Sequence, residues 1–168
     1  MTGSTAPDRA YIDTLKRHFG DLRDGTHGGA RQRGEKEELF EAAAKLLDPH
    51  ARMVLTELDH GMLLDSGRVE ANGPRRTSDG GMAATWALTW PEQQKAGIRP
   101  VSLIAHYGAG FHHPHLRGAT VSEWPLNVFT DEQARGEIPM MRAIAAGDLH
   151  NLVFQRDYRI VPAIVGDV

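Results

Sequence analysis

Apolar positions along the chain change period near residue 62, and that change separates a helix-forming half from a sheet-forming half. From Pro7 onward, Tyr11, Ile12, Leu15, Phe19 and Leu22 recur at helical spacing, with proline tolerated in the first turn. The stretch Asp24–Glu35, "DGTHGGARQRGE", is glycine-rich and has no apolar period, so it reads as a loop. A second helix carries Leu39, Phe40, Ala43, Leu46 and Leu47 on one face. It is expected to stop before Pro49, because the residue preceding proline is disfavoured in helix. Asp48 would then cap a third helix, with Pro49 in its first turn, Ala51, Val54, Leu55 and Leu58 inward, and Asp59–Gly61 closing it.

Beyond this point the pattern alternates. In "GMAATWALTW" (Gly81–Trp90), Met82, Ala84, Trp86, Leu88 and Trp90 fall on one face, and smaller or polar residues on the other. The two tryptophans on that face read as core. Leu63–Asn72 is a weaker strand, joined to it by "GPRRTSDGG". Pro100–Gly108 is a third strand, with Val101, Leu103, Ala105 and Tyr107 on one side and Ser102, Ile104 and His106 on the other. Ala119–Phe129 continues extended, with Pro125 at an edge or bend. Thr130 and Gln133 resemble a capping box that starts a helix. Pro139 divides that helix, and the second piece reaches Gly147 with Met140, Met141 and Ile144 buried. "NLVFQRDYRIVPA" (Asn151–Ala163) then supplies one or two closing strands.

This order predicts an α+β fold: N-terminal helices packed on a curved antiparallel sheet, with one helical excursion before the last strand. Closure of the sheet into a barrel is compatible with the pattern. Residues 1–6 read as a flexible start, and 7–168 as one α+β domain. Within it, 7–60 form a helical layer and 62–164 are mainly sheet, with a helix at about 131–147.

Composition narrows the classes of function. The 168 residues carry 19 Lys and Arg against 22 Asp and Glu, a net charge of −3, so a sequence-independent nucleic-acid binder is not expected. No apolar run has the length of a membrane span. The opening "MTGSTAPDR" lacks a basic start followed by an apolar core, which makes the cytoplasm the expected location. With no cysteine, thiolate metal sites and cysteine nucleophiles are excluded. Serine in a nucleophile elbow and a phosphate-binding glycine loop are both missing.

The candidate chemistry lies in "HYGAGFHHPHLRGATVSEWP" (His106–Pro125), which holds four of the nine histidines. Pro114 favours an extended His113, and residues two apart in an extended segment point the same way. His113 and His115 are therefore the expected ligand pair, with His106 or His112 as the third. His106 would return to the same point through the glycine-flanked turn Tyr107–Gly110. Two histidines and a carboxylate suit iron, and three histidines suit zinc. Glu123 is the expected proton-handling carboxylate, and Arg117 the group that positions an anionic substrate.

The leading expectation is thus a small protein binding one transition metal ion, iron or zinc, and in its enzymatic form acting on a small organic substrate. A rival of another class is a non-catalytic accessory subunit, or a homo-oligomer, that uses the histidine loop as a partner interface. A haem protein with one axial histidine is a third. Metal-free acid–base catalysis by the same loop is a fourth. The nearby pairs Asp59–His60 and Asp148–His150 read as helix-end residues.

Overall fold

The computed structural model describes residues 9–110 and 113–166. The segment 1–6, expected to be flexible, lies outside the described residues. The order of elements is α1 (Ala10–Asp24), α2 (Arg33–Leu58), β1 (Arg68–Arg76), β2 (Met82–Thr89), α3 (Pro91–Ala96), β3 (Val101–Tyr107), β4 (Pro114–Arg117), β5 (Trp124–Pro125), α4 (Asp131–Gly136), α5 (Ile138–Gln155) and α6 (Pro162–Val165). The fold is α+β. Among the described residues, five strands pair antiparallel in sequence order, and the sheet is open, not a barrel.

One face of the sheet supplies half of the core. Met82, Ala84, Trp86 and Leu88 of β2, Val101, Leu103, Ala105 and Tyr107 of β3, and Leu116 of β4 are all buried. They join Phe40, Leu47 and Leu55 of α2 and Met141, Ile144 and Leu149 of α5 in a single apolar cluster. The alternation read in the sequence therefore points the expected face inward. Trp86 and Trp90 bury their rings there and satisfy their indole N–H groups, on the Asp48 carboxylate at 2.9 Å and the Ile160 carbonyl at 2.7 Å.

Helix α2 corrects the expected break at Pro49. It is one helix of 26 residues with Pro49 inside it. Proline in a helix interior costs about 3 kcal/mol. The buried stripe Phe40, Ala43, Ala44, Leu47, Ala51, Val54, Leu55 passes Pro49 without losing register. Burying residues such as Val54 and Leu55 stabilises by roughly 1.5–3 kcal/mol each, which outweighs the proline penalty. Asp48 consequently binds Trp86 instead of capping a new helix.

The expected division near Pro139 is observed: α4 ends at Gly136, and Pro139 lies in the first turn of α5, where its missing N–H matters least. The extent of the second piece and the closing strands differ from expectation. Helix α5 runs through Gly147 to Gln155, and a short 3₁₀ turn (Tyr158–Ile160) and α6 follow in place of closing strands. Leu149 and Leu152 extend the buried stripe of Met141, Ile144 and Ala145, which explains why the helix persists. Between 119 and 129 only Trp124–Pro125 pairs as strand.

Asp148, read as a helix-end residue, is instead fully buried within α5. Its carboxylate accepts hydrogen bonds from the Ser102 N–H at 2.9 Å, the Thr120 N–H at 2.7 Å and the Thr120 hydroxyl at 2.5 Å. It thus ties α5 both to β3 and to the segment after β4. Gly118 leaves room for this contact: a Cβ there would lie 3.1 Å from the carboxylate.

Candidate functional site: an imidazole cluster between α1 and β4

Helix α1 docks with its polar face inward. Thr14 is its one buried residue, whereas Tyr11, Phe19 and Leu22, expected to face the core, are 58%, 59% and 78% exposed. Hydrogen bonds explain the inversion. The Thr14 hydroxyl donates to Glu137 at 3.3 Å, and the Arg17 guanidinium donates to the Asn127 carbonyl at 2.8 Å and to its side-chain oxygen at 2.9 Å. Asp21 accepts from the Thr26 hydroxyl at 2.8 Å, from the Gly28 N–H at 3.1 Å and from the Asn127 amide at 3.1 Å. Thr14, Arg17 and Asp21 are spaced at i, i+3, i+7, one face of a helix.

That rotation brings His18 to β4. Its ring centroid lies 4.8 Å from His113 and 6.5 Å from His115, and the last two are 4.5 Å apart. Pro114 opens β4, a position that proline tolerates, and holds His113 and His115 on one side of the extended chain as the sequence suggested. His106 is the cross-strand partner of His115. The Nδ1 of His115 is 3.7 Å from a Glu123 carboxylate oxygen, within ion-pair reach but beyond a hydrogen bond. Arg117 stands two residues further along the same face of β4, and donates weakly to the Gly118 carbonyl at 3.4 Å. His112 lies outside the described residues.

Burial, then the neighbouring His113 and His115, hold the His18 imidazole below its ordinary range. Burial likewise lowers His115, with Glu123 opposing and His113 and His106 adding to the effect. Both rings therefore stay neutral to lower pH than a free histidine, and the neutral ring is the form that ligates metal. Beside the cluster opens a cleft of about 290 Å³ lined by His18, Asp21, His27, Lys36 and His113. His27 is 2% exposed, and burial pushes its imidazole down to about 4.

The structure thus gathers His113, His115, His106 and Glu123 in one neighbourhood. It adds His18, which sequence reasoning missed. The signal was faint: His18 belongs to the polar Thr14–Arg17–Asp21 side of α1, 95 residues from His113, and only an inverted helix makes that side matter. Among the described residues, no group of three or more His, Asp or Glu side chains is gathered for a metal ion as it stands.

The class defined by these observations is an open-faced α+β protein with an imidazole cluster at the α1–β4 junction. No protein-family model matches the chain, and no curated protein or solved structure resembles it significantly. Among the described residues, no helix is long and apolar enough to cross a membrane.

Proposed function

We propose that this protein binds one transition metal ion through His113, His115 and His18, with His106 beside them. The observation carrying this reading is the ring-to-ring packing of three imidazoles from two separate elements, at centroid distances of 4.5, 4.8 and 6.5 Å. Imidazoles bound to one tetrahedral ion at about 2 Å have centroids about 5 Å apart, so the spacing suits ligation once the rings turn their nitrogens to a common point. Were Glu123 to close on Nδ1 of His115 from its present 3.7 Å and accept its proton in a hydrogen bond, Nε2 would be left as the metal donor. In a catalytic form, the adjoining cleft would admit a small substrate to an open position, Glu123 would carry protons and Arg117 would hold an anionic group.

The test is elemental analysis of untagged protein followed by titration with zinc or ferrous iron. Wild type should hold about one equivalent, a His113→Ala/His115→Ala variant none, and His18→Ala should bind at least about tenfold more weakly. Less than about a tenth of an equivalent after reconstitution under reducing conditions with iron, zinc, manganese and copper would rule the reading out.

A second reading, an interaction subunit, is favoured by the outward apolar face of α1. Tyr11, Phe19 and Leu22 form an exposed row that a second copy of this chain could cover. Light scattering should then find a dimer that Phe19→Glu/Leu22→Glu dissociates. A monomer at all accessible concentrations would remove this reading.

A further inference from the structure

At the other end of α1 the same inverted docking leaves a groove of about 310 Å³ between α1, β5 and the start of α5. Its walls include Tyr11, Leu15, Trp124, Pro125 and Met140. Trp124 and Tyr11 are 42% and 58% exposed, so their rings are accessible. The walls also include one acidic side chain, Glu137, which is only 5% exposed.

Glu137 is poorly satisfied for a buried carboxyl. Among the described residues its one side-chain hydrogen bond comes from the Thr14 hydroxyl at 3.3 Å. The single proton of that hydroxyl also serves the Ala10 carbonyl at 3.0 Å. Arg17 is the nearby cation, but its guanidinium donates to Asn127 and to the Thr14 oxygen, and among the described residues it forms no ion pair with Glu137 within 4 Å. Buried carboxylates are ordinarily paired or heavily hydrogen-bonded. Burial accordingly pushes Glu137 up to about 7, so it is readily ionised by an approaching cation.

We propose that this groove binds a small primary amine with an apolar tail, its ammonium group donating to Glu137 and its tail lying against Trp124, Tyr11 and Met140. Three features select that chemistry. The walls offer an apolar and aromatic surface, which favours burial of a hydrocarbon and of a cation against a ring. The carboxyl has no direct ion pair among the described residues, since the nearby Arg17 donates to Asn127 and Thr14, and an ammonium would supply that contact. The volume lies near the lower end for small-molecule sites and admits a ligand of arylalkylamine size. This groove shares no lining residue with the cleft beside the imidazole cluster.

The experiment is calorimetric titration of the full chain with 2-phenylethylamine and, as a neutral match, 2-phenylethanol, at pH 8. The amine should bind wild type about tenfold or more tightly than the alcohol, and Glu137→Gln should abolish that preference. Gln is isosteric and uncharged, so the variant should keep the fold, which its thermal unfolding checks. Trp124→Ala should weaken both compounds together, since it removes apolar wall and not charge. Equal binding of amine and alcohol to wild type, an amine preference that survives Glu137→Gln, or no binding by either below about 10 mM would each overturn the proposal.

Discussion

Replacement of Asp148 by alanine should destabilise the protein by about 3–5 kcal/mol, the largest single-residue effect expected outside the apolar core. The carboxylate is fully buried and accepts three hydrogen bonds, two of them from backbone N–H groups of Ser102 and Thr120. Alanine leaves both N–H groups without this partner, that of Ser102 in a buried position and that of Thr120 in a partly buried one, and each such loss costs about 1–3 kcal/mol. It also separates α5 from β3 and from the segment that follows β4. Asp148→Asn should be intermediate, because an amide keeps the shape but must turn its NH₂ toward one of the donors. His150→Ala, two residues along on the exposed side, should stay within about 0.5 kcal/mol of wild type. Thermal unfolding reads the contrast directly, with a drop of about 10 °C for Asp148→Ala and little change for His150→Ala. Equal stability of the two variants would show that Asp148 does not make these bonds.

The second large effect concerns pH. His27 is buried beside Tyr107 and Phe129, its ring 5.4 and 4.9 Å from theirs, and burial holds it at about 4 against an unfolded value of 6.5. Glu137 is held at about 7 against an unfolded value of 4.5. For His27 the unfolded chain binds the extra proton, so stability is lost as pH falls from 6.5 to about 4. For Glu137 the folded protein binds the extra proton, so stability is lost as pH rises from 4.5 to about 7. Each shift corresponds to about 3 kcal/mol. Between 4.5 and 6.5 the two cancel: unfolding gives His27 one proton and takes one from Glu137.

Glu137→Gln removes one side of this balance. Relative to wild type, the variant should gain about 3 kcal/mol as pH rises from 4.5 to above 7. Its own stability should climb by about 1.4 kcal/mol per pH unit across the range where wild type is level with respect to these two groups. Denaturant unfolding at a series of pH values measures the difference, and groups common to both proteins drop out of it. A variant-minus-wild-type difference that does not change with pH would mean that Glu137 is not held in its buried, weakly satisfied environment.

Two consequences of α1 meet at these sites. The helix turns Thr14, Arg17 and Asp21 inward, and in doing so positions His18 for the imidazole cluster and leaves Glu137 with a shared hydroxyl as its one side-chain hydrogen-bond partner among the described residues. Both candidate ligand sites therefore depend on one choice of helix rotation. The same choice leaves Tyr11, Phe19 and Leu22 facing outward.

Local pattern was sufficient for the central strands and for the α+β class. The alternation in Met82–Trp90 and Val101–Tyr107 has period two, and a one-residue shift would have exposed Trp86, Leu88 and Leu103, so the inner face followed from sequence alone. The expectation that His113 and His115 share a side followed from Pro114 in the same way. Tertiary packing decided what local rules left balanced. Burial of a stripe continuous across Pro49 carried α2 through a residue that normally ends a helix, and the same effect turned the expected closing strands at 151–163 into the end of α5 and two short turns. For α1, apolar periodicity chose the wrong face, because the hydrogen bonds that set its rotation, to Glu137 and Asn127, come from residues that are distant in sequence and invisible to a local window. His18 and Glu137 were missed for that reason: each gains its meaning from a neighbour about 100 residues away, which a periodicity along one helix cannot encode.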